Sequence, residues 1–386
     1  MERTLSSAKA GSGIPRNKGV DPVFAWLVAA LLAVGLVMLL SASSAQSAFD
    51  SRYTDSARYF RKQAVCAVIG LGAMAALSRI RAQVWEDLCW WIYGAAIVLL
   101  LLVLVTGRSV NGATRWISVG GIQFQPSEIA KFAMIVAFAR LSERFGSRTA
   151  QFRFGVLGFG AALMGLLIPL ALEKHLSAIL LMGMVAAAMM FLAGTRMRYL
   201  MMGAAGAVLF VLVYISLMGY AGDRVSAWLH PEGDPSDTGY QILQSLYAIG
   251  SGGVFGLGLG KSVQKYLYLP FQYNDYIFAI ICEELGLLGA VGIMALFGAL
   301  ILRGYWIALH ARDRFSAMLA AGLVSLIAIQ TALNLCVVTN ILPSTGISLP
   351  FFSYGGTALA MNLGEMGVIL SISRHRFDAR TQEEEA

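Results

Sequence analysis

Hydrophobic residues in this chain come in long blocks, not with a short period. Runs of about 18 to 25 apolar residues recur along nearly the whole length, each enough to cross about 30 Å of hydrocarbon at 1.5 Å per residue. They fall near 23–44, 63–78, 86–106, 126–143, 153–172, 176–193, 199–219, 276–302, 315–340 and 352–373. The pattern predicts ten membrane-spanning helices. The first span lies too late and runs too long to be a cleaved signal peptide, so it is expected to anchor. Two of the polar segments between spans stand out, 107–125 and the long loop 220–275.

Composition sharpens this. Of 386 residues, 58% are hydrophobic and only 13% charged, against about 25% charged in soluble domains. The expected fold class is an all-α polytopic membrane protein: a basic tail 1–21, a ten-helix domain 22–374 and a short tail 375–386. Ten spans put both tails on one side. Eighteen of the 29 Lys and Arg residues fall on the tail side and ten on the other, with Lys131 inside a span. The positive-inside rule therefore makes the tails cytoplasmic and the 107–125 and 220–275 segments external. Topology accounts for the net charge of +7, so no nucleic-acid partner is called for. Cys66, Cys89, Cys282 and Cys336 all lie in apolar spans and read as small buried hydrophobes, with no metal-ligand spacing.

The outer segments carry the candidate chemistry. GSGGVFGLGLGKS, 250–262, resembles a phosphate loop but has Phe255 where the pattern needs glycine; it reads as a flexible or re-entrant outer loop. In NGATRWISVGGIQFQPSEIAKF, 111–132, two alternating runs around Gly120 and Gly121 suggest a hairpin, followed by a helix with Pro126 in its first turn. Arg115, that helix's N-terminus and Lys131 would suit a phosphate or pyrophosphate. Equally, Arg115 could snorkel and Lys131 pair with Glu128 at i,i+3. His175 reads as a partner or surface residue in preference to a catalyst.

YLPFQYNDYIFAIICEELGLLGA, 268–290, brings three carboxylates to the mouth and first turns of a span. Asp275 could be a helix N-cap. Glu283 and Glu284 lie about 12 to 14 Å further along the axis and must face protein, water or a polar partner; interhelical hydrogen bonding and a proton relay both remain open. The segment 339–362 holds Pro343, Gly346, Pro350, Gly355 and Gly356 and no charge. Such broken backbone is tolerated near hydrocarbon only where protein or a cavity covers it, so it should line a pocket.

Three blocks in order, NGATRWI…QPSEIAK, YNDYIFAIICEELG and LPSTGISLPFFSYGG, resemble the signatures of the SEDS family (shape, elongation, division and sporulation). The resemblance covers essentially the whole chain, and the wording of the blocks is nearer the FtsW and SpoVE branches than RodA. It implies a peptidoglycan glycosyltransferase of the bacterial cytoplasmic membrane that polymerises lipid II at the outer face. It also implies a class B penicillin-binding protein as transpeptidase partner, with other division or elongation proteins. The family's essential acid maps onto Asp275, and its polar-cavity and substrate positions onto Arg115, Trp116 and Lys131. Lys261, Lys265 and Ser353 join the candidate substrate residues. Glu128, Glu173, His175, Glu283, Glu284, Pro343, Pro350, Gly355 and Gly356 are expected to shape the polar cavity.

The implied reaction needs a base for the acceptor sugar's 4-hydroxyl and charge stabilisation for a lipid pyrophosphate leaving group. No residue is assigned to a metal, and a divalent cation, Mg or Mn, is left as an open cofactor. Two departures from the family wording stand out: EKHLSA puts His175 where an Asp is usual, and Phe271 replaces an acidic residue near Asp275. A lipid-linked oligosaccharide flippase is the main alternative, since intramembrane charges and broken segments also describe carriers. A scaffold working through its short tails is the third.

Overall fold

The computed structural model describes residues 19–49, 56–110, 113–119, 122–206, 227–233 and 238–375. Apolar blocks become helices because a helix satisfies its backbone groups within one segment, which hydrocarbon demands. In chain order they are α1 (Pro22–Phe49), α2 (Arg58–Leu77), a short α3 (Ala82–Asp87) running into α4 (Cys89–Thr106), α5 (Pro126–Phe145), α6 (Phe159–Leu172) and α7 (Leu176–Leu192). After them come α8 (197–206), α9 (Thr238–Ser251) in the long segment ahead of the next span, α10 (Ile277–Leu309), α11 (Arg314–Val338) and α12 (Gly356–Arg374).

Among the described residues, six segments are long and apolar enough to cross a membrane on length and composition alone: α1, α2, α4, α6 with its preceding π-helical turn, α10 and α11. The chain is a multi-pass membrane protein. Helices also occupy the fourth, sixth and tenth expected spans, as α5, the shorter α7 and α12. The seventh, 199–219, begins in α8 and continues outside the described residues, as do both tail ends. A small antiparallel sheet is the exception to an all-helical fold: β1 (Arg108–Val110), β2 (Ala113–Val119) and β3 (Ile122–Phe124). The β2–β3 pair, with Ile117 opposite Phe124 and Val119 opposite Ile122, is the hairpin expected around Gly120 and Gly121. β1 was not anticipated.

Burial sorts the helices into two layers. Nearly every residue from Pro126 to Ala139 is buried in α5, and α11 and α12 are buried along most of their length. A helix covered on all sides belongs at the centre of a bundle. By contrast, α2 and α4 expose Val65, Val68, Ile69, Trp91 and Val105, the surface that lipid covers. At the tail-bearing end, buried Asp21 accepts two bonds from Arg303, at 2.7 and 3.1 Å, and caps α1 by accepting from the Phe24 N–H at 3.0 Å. Its own N–H donates to Ser373 at 3.0 Å. One residue thus ties α1, α10 and α12 together, its carboxylate holding α1 and α10 and its N–H holding α12.

Candidate active site

α10 does not run straight. Gly286 sits at φ 66°, ψ −168°, which breaks the helix after Glu284, and the glycine-rich loop fills the gap. Leu257 and Gly258 donate to the carbonyls of Glu283 and Glu284 at 2.9 and 3.0 Å, while Leu287 and Leu288 donate to Gly253 and Val254 at 2.9 and 3.2 Å. A Cβ on Gly286 would lie 2.3 Å from the Gly256 nitrogen, and one on Gly252 2.0 Å from the Cys282 oxygen. Glycine is required because two backbones meet there. The glycine-rich loop is therefore held to the broken helix.

The same loop answers what Glu283 and Glu284 do. Glu283 accepts from the Ser262 hydroxyl and from the N–H groups of Val263 at 2.9 Å and Gln264 at 3.4 Å. Glu284, with no exposed surface, accepts from Ser41 of α1 at 2.7 Å, Ser262 N–H at 3.3 Å and Lys265 Nζ at 3.1 Å. Lys265 also donates to the Gly260 carbonyl at 2.6 Å. Expected near substrate, Lys265 is instead buried at 3% exposure, its ammonium bonded to Glu284, Ser41 and the Gly260 carbonyl, while the neighbouring Gln264 Oε1 stays without a partner; of the two loop lysines, only Lys261 is exposed.

From Lys265 the chain leads to Asp275, which is half-buried. The N-cap of α10 is Tyr276, not Asp275, so the aspartate lies just ahead of the helix. The 339–355 loop clasps its backbone. Asn334 of α11 donates to the carbonyls of Asp275 and Ile347 at 2.7 and 2.8 Å, and the Tyr354 N–H donates to the Tyr273 carbonyl at 2.9 Å. Ser353, another expected substrate residue, donates to the Asn274 carbonyl at 2.6 Å and accepts from Leu349 N–H at 2.8 Å. Its hydroxyl braces the loop. Gln63 of α2 closes the other side, donating to the Ser353 carbonyl and accepting from Gly355 N–H, each at 3.1 Å.

This loop, with half-buried Pro343, buried Pro350 and partly exposed Gly355 and Gly356, is irregular backbone made tolerable by side chains from three helices. Gly346, at φ 70°, brings its backbone close to the Asp275 carboxylate: a Cβ there would stand 3.4 Å from Oδ2.

A second cluster sits on the far side of the loop, where Ser177 of α7 donates to the Thr345 carbonyl. Arg115 on β2, beside half-buried Trp116, donates to the Lys174 carbonyl at 2.8 Å. Glu173 and His175, flanking Lys174, are 2% and 6% exposed. Burial pushes the Glu173 carboxyl up to about 8, against the pull of Arg115. Burial, then Arg115 and Lys131, hold His175 down at about 3. His175 is thus a neutral imidazole and supplies no negative charge to either cation. Lys131 pairs with Glu128 at 2.8 Å, both buried, as the plainer reading of the sequence had it.

Several residues were not anticipated. Glu365 of α12 is 3% exposed, one of its oxygens is sealed without a hydrogen bond, and it feels the charges of Lys131 and Glu128. A carboxylate inside an apolar span was the available signal. Buried side-chain atoms without partners gather around both clusters: Glu173 Oε1, His175 Nδ1, Asn274 Oδ1, Asn334 Oδ1 and Thr345 Oγ1. Among the described residues, the non-glycine positions at positive φ are Lys174, Leu267, Phe271, Asn340 and Phe351, all in the segments around these clusters. Strain and unmet polar groups concentrate at functional sites. Among the described residues, no group of three or more His, Cys, Asp or Glu is placed to hold a metal ion.

Comparison with known proteins bears on the family and the fold. Residues 22–378 match the family model described as a cell cycle protein, FtsW/RodA/SpoVE. A protein of Geobacter sulfurreducens named "Probable peptidoglycan glycosyltransferase FtsW" is 39% identical over 94% of this chain and 97% of its own length. "Stage V sporulation protein E" of Bacillus subtilis is 39% identical over 89% and 94%. Among solved structures, a chain described under "Structural coordination of polymerization and crosslinking by a peptidoglycan synthase complex" superposes with a TM-score of 0.78 at 28% identity, covering 93% of this chain and 99% of that one. The rod shape determining protein RodA of Thermus thermophilus gives 0.70 at 28% identity, over 93% and 98%. With matching blocks, fold and coverage, this chain belongs to the FtsW/RodA/SpoVE family of SEDS proteins.

Proposed function

We propose that this chain is a peptidoglycan glycosyltransferase that polymerises lipid II at the outer face of the bacterial cytoplasmic membrane, in the FtsW or SpoVE manner. The observation that carries the reading is the placement of Asp275. It stands just ahead of a membrane helix, on a backbone fixed by Asn334 and the 339–355 loop, while the neighbouring glutamates are spent in structural bonds.

In this reading Asp275 accepts the proton as the 4-hydroxyl oxygen of the acceptor sugar bonds to the donor's anomeric carbon. The bond from that carbon to the lipid pyrophosphate breaks, and the pyrophosphate leaves with the electron pair. Such a leaving group needs charge stabilisation more than an acid, and Arg115, exposed Lys261 and the N-terminus of α5 supply positive charge, while the Lys131 ammonium is already paired with Glu128. Nothing in this sequence of steps calls on a metal. A class B penicillin-binding protein would crosslink the product; a peptidoglycan synthase complex is the setting of one structural relative.

The test is polymerisation of purified lipid II by the protein with its transpeptidase partner, comparing wild type with Asp275→Asn. Loss of a general base lowers the rate by about 10²- to 10⁴-fold, with thermal unfolding unchanged. Equal polymer from both would remove Asp275 as the base. No polymer from either, with an active partner, would favour the flippase.

A further inference from the structure

Three tyrosines from three separate parts of the chain meet beside Asp275. Tyr59 opens α2, Tyr273 lies two residues before Asp275, and Tyr354 ends the clasping loop. The rings of Tyr59 and Tyr273 lie 4.6 Å apart and tilted by 32°, and Tyr354 stands edge-on to them at 5.0 and 6.0 Å. All three are half-buried, so part of the cluster is open. The phenols of Tyr59 and Tyr354 make no hydrogen bond among the described residues, though neither is sealed away. Arg58 is near enough to act on Tyr354 electrostatically, and the adjacent Asn274 Oδ1 has no donor.

A cluster built only for packing would be closed and its polar ends either bonded or fully in water. This one is open and carries unbonded hydroxyls. A sugar ring fits that combination: its C–H face carries slight positive charge that suits the negative face of an aromatic ring, and its hydroxyls need donors and acceptors at the rim. We propose that Tyr59, Tyr273 and Tyr354 form a stacking platform that positions the acceptor sugar, presenting its hydroxyl to Asp275. The acceptor is favoured because Tyr273 and Tyr354 are joined by a backbone bond within the same clasp that fixes Asp275. The proposal rests on the polymerase reading for its consequence in catalysis, but the binding itself can be tested apart from it.

The probe is the GlcNAc–MurNAc disaccharide without lipid or pyrophosphate, added to the purified full-length protein. Saturation-transfer NMR should show contact with the sugar C–H protons in wild type and in Tyr59→Phe, and its loss in Tyr59→Leu. With lipid II as substrate, Tyr59→Leu should raise KM about 3- to 10-fold, with kcat and thermal unfolding changed far less, and Tyr59→Phe should restore KM. Hydroxyl-radical footprinting of wild type needs no folded variant, and there the disaccharide should protect Tyr59 and Tyr273. No transfer to the sugar in wild type, unchanged footprints, or a Tyr59→Leu protein with wild-type transfer and KM would each overturn the platform. Sugar contact without any polymer would instead sink the polymerase reading and leave the platform standing. Polymer without sugar contact would do the reverse.

Discussion

Two acidic regions lie eight residues apart on one stretch of chain and are treated in opposite ways. Around Glu283 and Glu284 the carboxylates are matched by hydroxyls, backbone N–H groups and Lys265. Around Asp275 and the Arg115–His175 cluster, sealed atoms of Asn274, Thr345, Glu173 and His175 go without partners, and bulky residues sit at positive φ. A saturated polar network fixes geometry and has nothing left to offer a substrate; an unsaturated one is held for something that arrives. The glutamates that looked most anomalous in an apolar span are scaffolding, and the aspartate that could have passed for a helix cap is the better candidate for chemistry.

If that division is right, substitutions should separate stability from turnover. The largest stability loss belongs to Lys265→Met, which leaves Glu284 buried without its ammonium. Breaking a buried pair costs about 3–5 kcal/mol, read as a lower thermal unfolding temperature in detergent, whereas Asp275→Asn should leave that temperature unchanged and abolish polymer. A Lys265→Met protein of normal stability with a specific defect in lipid II turnover would return Lys265 to the substrate side. Next comes Gly286→Ala. The backbone angles there cost a side chain about 1–3 kcal/mol, and the new methyl overlaps the Gly256 nitrogen and the Val254 oxygen. Polymerisation should fall because the loop leading to Asp275 loses its seat. Wild-type stability and turnover in this variant would mean that loop and break are not coupled.

How much of this could be read in advance depended on the reach of the interactions. Helices are local in sequence, so block lengths found those that fall within the described residues. The β2–β3 hairpin and the start of α5 were visible because glycines and Pro126 mark turns and first helical turns. The break at Gly286 was not, since nothing near it says that Gly253 and Gly258, some thirty residues earlier, will supply the missing partners. The fates of Lys265 and Ser353 were hidden for the same reason: a lysine or serine looks alike whether its partner is a substrate or a distant Glu284 or Asn274. Tyr59 and Gln63 carry no local mark at all. Glu365 did carry one, and its isolation within an apolar run is as conspicuous as that of Glu283.

The smallest expected effect tests the unsatisfied side of the comparison through pH. Glu173 has its folded value raised to about 8 from an ordinary 4.5, so between those values the folded protein holds more protons than the unfolded chain. Stability contributed by this group is therefore full below pH 4.5 and is lost as pH rises towards 8. His175 behaves oppositely. Its value is lowered from 6.5 to about 3, so the unfolded chain binds the extra proton and stability is lost as pH falls from 6.5 towards 3.

Glu173→Gln should accordingly match wild type near pH 4.5 and become progressively more stable than wild type as pH rises towards 8. His175→Asn should flatten only the acid limb. Thermal unfolding across pH 4–9 reads both. A Glu173→Gln protein that is less stable than wild type at pH 8 would show that Glu173 is ionised and paired with Arg115. The cluster would then belong with Glu284 among the satisfied networks, and Arg115 would have less charge to give a pyrophosphate.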